Sequence, residues 1–307
     1  MIIIAQGEGP ERAVLLFGLG GVGRALRDAL IGHGGETVGE VETDWGERTR
    51  FRKGLDEVVQ CCERLALAGC KTFHVAWCAG KAGFGSTAKE VSAELQLFDD
   101  VTGLAARLAA LGAVYYHVVS SAGGLFEGQR LVGPDSAPAP LRPYGEMSLA
   151  KEELSLALEK PEGVCVYRPS AVYGASSPTG RAGLIGALIR NALLCRETAI
   201  VGRLATLRDF VHVEDVAKFI SRKICDDMAG RHVWMLVSGR PVSIGEVVRL
   251  IEQLGRPAFL RLDSSPDNAA DITFSPAVRA PGFESGELGA RINRLYRSAQ
   301  SQLLRVS

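Results

Sequence analysis

Residues 14–23 read VLLFGLGGVG, an apolar run of strand length that meets a glycine cluster, and a segment with helical spacing follows over residues 24–30. The glycines have the spacing G-x-G-x-x-G in a strand–turn–helix context. The first glycine allows a tight turn, the second lets the backbone approach a pyrophosphate at the helix N-terminus, and the third lets helix and strand pack closely. The pattern therefore predicts a dinucleotide-binding turn. Its expected contact residues are Gly18, Leu19, Gly20, Gly21, Val22 and Gly23.

An acidic residue ends the next predicted strand, residues 35–42. Glu42 lies about 20 residues past the glycines, where a carboxylate hydrogen-bonds the adenosine ribose of a bound dinucleotide. A carboxylate at that place would repel the additional phosphate of NADP, so the sequence favours NAD as the cofactor. The alternative, which stays open, is that the acidic residues here are exposed residues of a turn: Glu40, Glu42 and Asp44.

Composition restricts the class of protein. With 307 residues, of which 47% are hydrophobic, the chain can form one large α/β unit or two modest domains. Lys+Arg and Asp+Glu are both 35, so no net charge argues for nucleic acid or an anionic membrane as partner. Seven cysteines, without a C-x-x-C pair, predict reduced thiols in a cytoplasmic protein.

Signals for membrane insertion, secretion or metal binding are missing from the sequence. The apolar start, residues 1–5, lacks a basic leader and is too short for a signal peptide. No apolar run reaches the length of a membrane-spanning helix. The five histidines are scattered, and no pair has metal-ligand spacing. We therefore expect a small-molecule substrate and no metal.

Apolar strands alternate with helical segments in the first half of the chain. The predicted strands cover 71–78, 114–121 and 163–169, with a short third strand possible over Arg48–Arg52, and the predicted helices cover 54–68, 87–111 and 144–159. This alternation implies βαβ crossovers, and so we expect an α/β fold with a Rossmann-like, doubly wound parallel sheet. Beyond Gly174 the alternation of strands and helices becomes less regular. Helices are predicted there over 182–195 and 244–254, and a strand over 232–237.

This less regular alternation of strands and helices suggests that the C-terminal part forms a smaller substrate-binding domain. We predict an NAD-binding domain over residues 1–174, with a return segment at about 206–240, and a substrate-binding part formed by 175–205 and 241–307. No internal repeat and no low-complexity linker separates the two parts.

Several short blocks, spread over most of the chain, carry a resemblance to a known family. They are GLGGVG at 18–23, FHVA at 73–76, VVSS at 118–121, PYG at 143–145, YRPSAVYG at 167–174, LRDFVHVEDVA at 207–217 and VSGRPVS at 237–243. These blocks resemble the extended short-chain dehydrogenase/reductases, the family of NAD-dependent nucleotide-sugar epimerases and dehydratases. The block at 207–217 is the most specific of them.

The resemblance implies a catalytic tyrosine, a lysine one helical turn later and a serine or threonine that binds the substrate oxygen. Tyr144 matches the tyrosine, but the lysine position is Ser148 and the serine position is Ala122. A phenol with a pKa near 10 is a poor base at neutral pH unless a cation stabilises the phenolate. Tyr144 is therefore expected to act with atypical partners, Ser121 or Ser148.

Two features could rescue the missing partners. A one-residue shift of the loop would bring Ser121 into the serine role. Lys151 lies seven residues after Tyr144, on the same helix face but about 10 Å along the helix. The alternative that we favour for Lys151 is a solvated charge beside Glu152 and Glu153.

The resemblance also assigns binding residues. Ala76, Trp77 and Cys78 follow a predicted strand and should border the cofactor cleft, because ligands bind at the carboxyl ends of parallel strands. Further cofactor contacts are expected from Ser120, Tyr144 and Pro169.

For the substrate, the resemblance implies contacts from Ser121 and from Arg208, which would reach a nucleotide diphosphate. Arg208 could equally pair with Asp209 or Asp215. Ala171 replaces a sugar-contacting asparagine, and residues 268–271 lack the arginine of a late family block.

These features lead to one main hypothesis and two alternatives. The main one is an NAD-binding oxidoreductase or epimerase that acts on a sugar or nucleotide-sugar hydroxyl, with Tyr144 as acid/base. The alternatives are a catalytically degenerate NAD-binding protein (a sensor, scaffold or partner subunit) and non-redox chemistry in a biosynthetic pathway. As in the family, the helices at 87–111 and 144–159 should pair across a two-fold axis in a homodimer.

Overall fold

The computed structural model describes residues 1–7, 11–174, 183–255, 257–263 and 270–304. Its strands are β1 (Ile2–Gln6), β2 (Arg12–Phe17), β3 (Glu36–Glu40), β4 (Thr72–Trp77), β5 (Ala113–Val119), β6 (Gly163–Pro169), β7 (Ala171–Tyr173), β8 (Glu197–Val201), β9 (Leu207–Arg208), β10 (Phe210–His212), β11 (Gly230–Leu236), β12 (Val242–Ser243) and β13 (Phe259–Asp263). Its helices are α1 (Gly21–Gly32), α2 (Arg48–Leu67), α3 (Ala88–Thr102), α4 (Leu104–Leu108), α5 (Ala122–Leu125), α6 (Pro143–Leu156), α7 (Gly183–Leu193), α8 (Val213–Cys225), α9 (Ile244–Glu252) and α10 (Leu288–Leu304). None of these helices is long and apolar enough to cross a membrane.

A seven-stranded sheet organises the first part of the chain, in the order β11-β6-β5-β4-β2-β1-β3. Strands β2, β4, β5 and β6 pair in parallel, with Leu15 opposite Val75 and Val75 opposite Tyr116. The side chains of β2 and β4 are almost wholly buried, as expected for parallel strands covered by helices on both faces. The prediction of an α/β fold with a Rossmann-like parallel sheet is confirmed.

An additional strand separates the glycine-turn strand from the strand that follows α1. Strand β1 is antiparallel to both neighbours, with Ile2 opposite Leu16 of β2 and opposite Glu40 of β3. In the standard dinucleotide fold the first two strands of the βαβ unit are adjacent. Here β3 lies two strand spacings, about 10 Å, from β2. The sequence analysis treated residues 1–5 only as a short apolar start and did not predict this strand.

The short strand predicted over Arg48–Arg52 is wrong, because these residues form the first turns of α2. The Glu47 carboxylate caps the helix by accepting the backbone N–H groups of the second and third residues after it, at 2.8 and 3.1 Å. Arg48 and Arg52, one turn apart, both bind the Asp100 carboxylate at 2.7 Å. The ion pairs between α2 and α3 thus stabilise as a helix a segment whose sequence pattern also fitted a strand.

The single long helix predicted over 87–111 is two helices, α3 and α4, which meet at Gly103. Thr87 and Glu90 start α3 with a reciprocal capping box. The other helices and strands predicted up to residue 169 are found within six residues of their predicted bounds. The helix predicted over 182–195 begins outside the described residues, and its described part is α7.

The chain divides into two compact units. The first comprises 1–125, 140–168 and 217–234, and the second comprises 126–139, 169–216 and 235–307. The first unit has an apolar core between the central sheet and α2, α3 and α4, with Phe51, Val75 and Phe98 fully buried. The second has its own core around α7, α9 and α10, in which Ile185, Val247 and Ile292 are fully buried.

A chain of hydrogen bonds crosses the sheet of the first unit. Arg12 binds both oxygens of Asp227, and Asp227 binds His74 Nε2 at 2.9 Å. His74 Nδ1 lies 3.0 Å from His117 Nε2, and His117 Nδ1 lies 2.9 Å from the Tyr167 hydroxyl. One proton arrangement satisfies every link: Tyr167 donates to His117, His117 donates to His74, and His74 donates to Asp227. Both buried histidines are then neutral.

Burial lowers the pKa of His74, which Asp227 raises in part, and burial together with His74 lowers the pKa of His117 well below its ordinary value. Burial raises the pKa of Asp227, but hydrogen bonds from His74 and Arg12 outweigh this effect and lower the pKa to about 2. The network is therefore stable only while the histidines stay neutral and the aspartate stays ionised.

We expect stability to fall as the pH decreases below about 6.5, because unfolded histidines take up protons while His74 and His117 do not. Each histidine that stays neutral in the folded protein lowers the free energy of unfolding further as the pH falls, and Asp227 adds to the loss below about pH 4. Urea unfolding at about pH 7.5, 6 and 5, followed by tryptophan fluorescence, measures this slope.

The variant His117→Gln should flatten the slope, whereas His33→Gln, at an exposed position, should leave it unchanged. An unfolding midpoint that does not change between these pH values would contradict the assignment.

Candidate functional site

The glycine turn is built by close backbone packing. Gly18 has φ +88°, in the left-handed region, and a Cβ there would overlap Ala79 of the loop after β4. A Cβ on Gly23 would overlap the carbonyl group of Gly18. The first and third glycines are thus required by the approach of three backbone segments.

Gly20 is different, because a Cβ there would meet nothing within 4 Å. It is the N-cap residue of α1 and provides no side-chain cap, so the first N–H groups of this 12-residue helix are not capped by a side chain. Open space before an uncapped helix N-terminus is a suitable binding place for an anion. The turn therefore fits the pyrophosphate of a dinucleotide, held by backbone groups of residues 18–23.

Glu42 lies exposed in the loop that follows β3. The same loop carries Trp45, whose ring packs against Phe51 and against Trp77 at the end of β4, with ring centroids 5.1 and 5.8 Å apart. This packing turns the loop back toward the carboxyl end of β4, although β1 separates β3 from the glycine-turn strand. Glu42 thus lies at the carboxyl edge of the sheet, as in the standard fold, but one strand position further from β2.

At the end of β4, backbone atoms rather than side chains lie at the carboxyl edge of the sheet. Ala76 and Trp77 are 1% and 0% exposed, and the Trp77 indole lies in the core against Phe17 and Phe98. Burial raises the pKa of Cys78 to about 12. This thiol is therefore not prepared to act as a nucleophile.

Tyr144, Ser121 and Ser148 come together in the first unit. The Tyr144 ring packs over Gly124, whose N–H donates to the Ser121 hydroxyl at 3.1 Å. The Ser148 hydroxyl also donates to the Tyr144 carbonyl oxygen at 2.9 Å. Ala122, the aligned serine position, is fully buried at the start of α5. The structure thus brings both serines into the neighbourhood of Tyr144.

The charge balance around this tyrosine does not favour its phenolate. Burial raises the pKa of Tyr144, Ser121 and Ser148 lower it in part, and the carboxylate of Glu94 raises it. The phenol therefore stays protonated at neutral pH.

Ser120 belongs to a separate buried network. Its hydroxyl donates to Glu152, and the Arg168 guanidinium binds both oxygens of the same carboxylate. Glu152 is only 2% exposed, so this bidentate pair compensates its burial. The Ser120 side chain thus joins α6 to the carboxyl ends of β5 and β6, where a cofactor contact was predicted.

The prediction that Lys151 is a solvated charge is wrong, because its side chain is 5% exposed. Its ammonium donates to Glu94 of α3 at 3.2 Å, and the other Glu94 oxygen accepts the backbone N–H groups of Lys81 and Ala82. Burial lowers the pKa of Lys151, and Glu94 raises it. Sequence reasoning missed Glu94, since it lies 57 residues from its partner and has no motif around it.

In the second unit, Arg208 donates to the carbonyl oxygens of Leu207 and Ala270. The acids considered as its partners are bound elsewhere, Asp209 by Ser170 and Ser238, and Asp215 by Arg291. Pro169 ends β6. In the late block, Asp271 accepts the Leu207 N–H at 2.8 Å and pairs with Arg130 at 2.6 Å, while residues 268 and 269 lie outside the described part.

Solved structures with the same fold bind nucleotide sugars or nicotinamide coenzymes. The chain is similar to MoeE5 in complex with UDP-glucose and NAD, at 23% identity over 94% of this chain and 99% of that chain, with a TM-score of 0.75. It is similar to the UDP-glucose 4-epimerase of Thermus thermophilus in complex with NAD (18% identity, 94% and 99% coverage, TM-score 0.73). It is also similar to RMD from Pseudomonas aeruginosa complexed with NADPH (20% identity, 95% and 99% coverage, TM-score 0.70). At these identities the likeness shows the fold.

The family is shown by sequence. No curated protein matches the chain significantly. A sequence profile of the NAD dependent epimerase/dehydratase family matches residues 14–235, which include the glycine turn, Tyr144 and the Arg208 block. The chain therefore belongs to the NAD-dependent epimerase/dehydratase family of enzymes.

Proposed function

We propose that this enzyme is an NAD-dependent oxidoreductase or epimerase that acts on a hydroxyl or keto carbon of a nucleotide sugar, with Tyr144 as acid/base. One observation carries the proposal: an open, uncapped glycine turn occurs in the same compact unit as Tyr144 and its two neighbouring serines, Ser121 and Ser148. Family membership and the UDP-glucose bound by MoeE5 support the substrate class.

NAD is the proposed cofactor. Two of the similar structures hold NAD, whereas RMD holds NADPH, so the choice depends on the residues of this chain. Three acids, Glu40, Glu42 and Asp44, follow or end β3 on the edge of the sheet where the adenosine would bind. Their negative charge disfavours the 2′-phosphate of NADP.

The residues of this chain have the following proposed roles in binding and catalysis. A nicotinamide cofactor, when bound, would supply or accept the hydride. Residues 18–23 hold the pyrophosphate through backbone N–H groups. Tyr144 exchanges a proton with the reacting oxygen, Ser121 and Ser148 orient the phenol, and Arg208 contacts the nucleotide diphosphate.

We expect Gly20→Ala to weaken NADH binding by about tenfold or more, because the methyl group fills the space where the pyrophosphate approaches the backbone. The fold should tolerate the change, since Gly20 has φ −70° and open surroundings. Titration with NADH and NADPH, followed by tryptophan fluorescence, measures both affinities.

Gly32→Ala, at the other end of α1 and equally open, is the matched control and should bind NADH as the unmodified protein does. The proposal predicts NADH binding that is tighter than NADPH binding. If neither nucleotide binds, the glycine turn is not a cofactor site.

Tyr144→Phe should reduce turnover by about 100-fold or more, because the substitution removes only the group that carries the proton. Turnover of UDP-glucose and related nucleotide sugars is measured as a change in nicotinamide absorbance for net oxidation or reduction, and by chromatography of the sugar products for epimerisation, which returns the hydride and leaves the absorbance unchanged. Tyr115→Phe, on β5 beside His74, is the control and should keep its activity. Turnover that survives in Tyr144→Phe would refute the role of Tyr144.

A protein that binds NADH but turns over none of these sugars would favour the alternative function of a sensor or scaffold.

A homodimer through α3 and α6 is also proposed. These helices pack against each other, and Leu154 of α6 is 36% exposed. Sedimentation velocity at micromolar concentration should show a dimer, and Leu154→Glu should shift it toward monomer. Leu67→Glu, at a 90% exposed position on α2, is the control. A monomeric unmodified protein would contradict this assembly.

A cytoplasmic location is the last part of the proposal. All seven cysteines are free thiols, and three of them are buried. Free thiols are typical of proteins in reducing compartments.

A further inference from the structure

We propose that Glu94 is a positioning residue for the dinucleotide cofactor. Its carboxylate holds the loop after β4 beside the glycine turn before the cofactor binds, with Lys151 as the counter-charge. The inference rests on the proposed binding of NAD at the glycine turn, and it adds a residue outside the turn that sets the affinity.

The loop after β4 lies directly beside the glycine turn. Strands β2 and β4 pair in parallel, with Phe17 opposite Trp77, so both strands end at the same edge of the sheet. The Cys78 N–H donates to the Phe17 carbonyl oxygen at 2.8 Å. Ala79 occupies the space that a Cβ on Gly18 would need. Because ligands of open α/β sheets bind outside the carboxyl ends of the strands, this loop borders the space in front of the turn.

One carboxylate holds the backbone of this loop. The Glu94 Oε2 atom accepts the N–H groups of Lys81 and Ala82 at 2.9 and 3.1 Å. The loop also passes so close to Glu94 that a Cβ on Gly80 would lie 2.9 Å from the Oε1 atom. Hydrogen bonds to an ionised carboxylate are about twice as strong as those to a neutral acceptor. Glu94 thus fixes the residues that follow the contact between the loop and the glycine turn.

Lys151 keeps this carboxylate ionised and in place. Its ammonium donates to Glu94 Oε1 at 3.2 Å, and the two side chains are 5% and 12% exposed. A carboxylate that is so little exposed is strongly destabilised without a counter-charge. Because Oε1 binds the ammonium, Oε2 is directed to the loop.

A loop that is fixed before the ligand arrives loses less conformational entropy when the ligand binds. Without an acceptor at position 94, the N–H groups of Lys81 and Ala82 would bond to water, and the cofactor itself would have to order the loop. We therefore expect the affinity for NADH to depend on the acceptor at position 94. The charge of Lys151 is needed only while that acceptor is a carboxylate.

Two double variants separate the acceptor from the charge. Glu94→Leu/Lys151→Met removes both, and apolar replacement of a buried ion pair is often neutral for stability. This variant should bind NADH about tenfold more weakly or worse. Glu94→Gln/Lys151→Met keeps an oxygen that accepts a backbone N–H, so its affinity should stay within about threefold of that of the unmodified protein. Titration with NADH, followed by tryptophan fluorescence, measures both affinities.

Urea unfolding of the same samples distinguishes positioning from a general effect on stability. The two double variants should have the same unfolding midpoint although their NADH affinities differ. Asp56→Leu/Arg107→Met is the matched control, because it replaces the 2.8 Å ion pair between α2 and α4 in the same way. It should bind NADH as the unmodified protein does.

The inference is overturned if Glu94→Leu/Lys151→Met binds NADH as tightly as the unmodified protein. It is also overturned if Glu94→Gln/Lys151→Met loses as much affinity, or if the loss of affinity accompanies a matching loss of stability. An unmodified protein that binds no NADH is a different result, which contradicts the cofactor proposal on which this inference rests.

Hydrogen exchange tests the same contact without a variant. In the unmodified protein without nucleotide, the amides of Lys81 and Ala82 should be protected, because Glu94 already binds them. Mass spectrometry of peptides that cover the loop after β4 measures the exchange rate. Exchange of these amides as fast as that of an unprotected loop would overturn the inference.

Discussion

The Glu94 carboxylate connects the parts of the first unit on which the site depends. One oxygen binds Lys151 of α6, and the other binds the backbone of Lys81 and Ala82, just after the loop residue that packs on Gly18. The glycine turn, the loop after β4 and the tyrosine helix are therefore held by one buried ion pair. Such a pair is costly to break, because each partner would remain charged in a nonpolar environment.

This arrangement separates two tasks that a single lysine performs in the family that the chain resembles. The positive charge is retained on α6 but lies two turns after Tyr144, where it binds Glu94, while Ser148 occupies the position one turn after Tyr144 and donates to its carbonyl oxygen. At Tyr144 the consequence concerns proton transfer. Burial and the Glu94 carboxylate both raise the pKa of Tyr144 and so favour its protonated form.

The sheet shows a second departure, since β1 separates β3 from the glycine-turn strand. Strand β1 pairs with a strand on each side, with a register shift between Ile3 and Ile4 on the β3 side, and its side chains are buried, so the strand is a central part of the sheet. The loop after β3 compensates by returning toward β4, where Trp45 packs on Trp77. The acids of that loop therefore stay at the carboxyl edge of the sheet.

Local signals in the sequence were sufficient for the α/β class, for most helices and strands of the sheet and for the glycine turn, because backbone sterics, apolar periodicity and capping act over a few residues. The resemblance to the family, rather than these local signals, indicated Tyr144 and the loss of its lysine at position 148. Long-range pairing could not be read in this way. The partnership of Lys151 with Glu94, the chain from Asp227 to Tyr167 and the insertion of β1 join residues many positions apart. Burial energy and charge compensation select such contacts only after the chain has folded, and they decided which charges in this protein are available for chemistry.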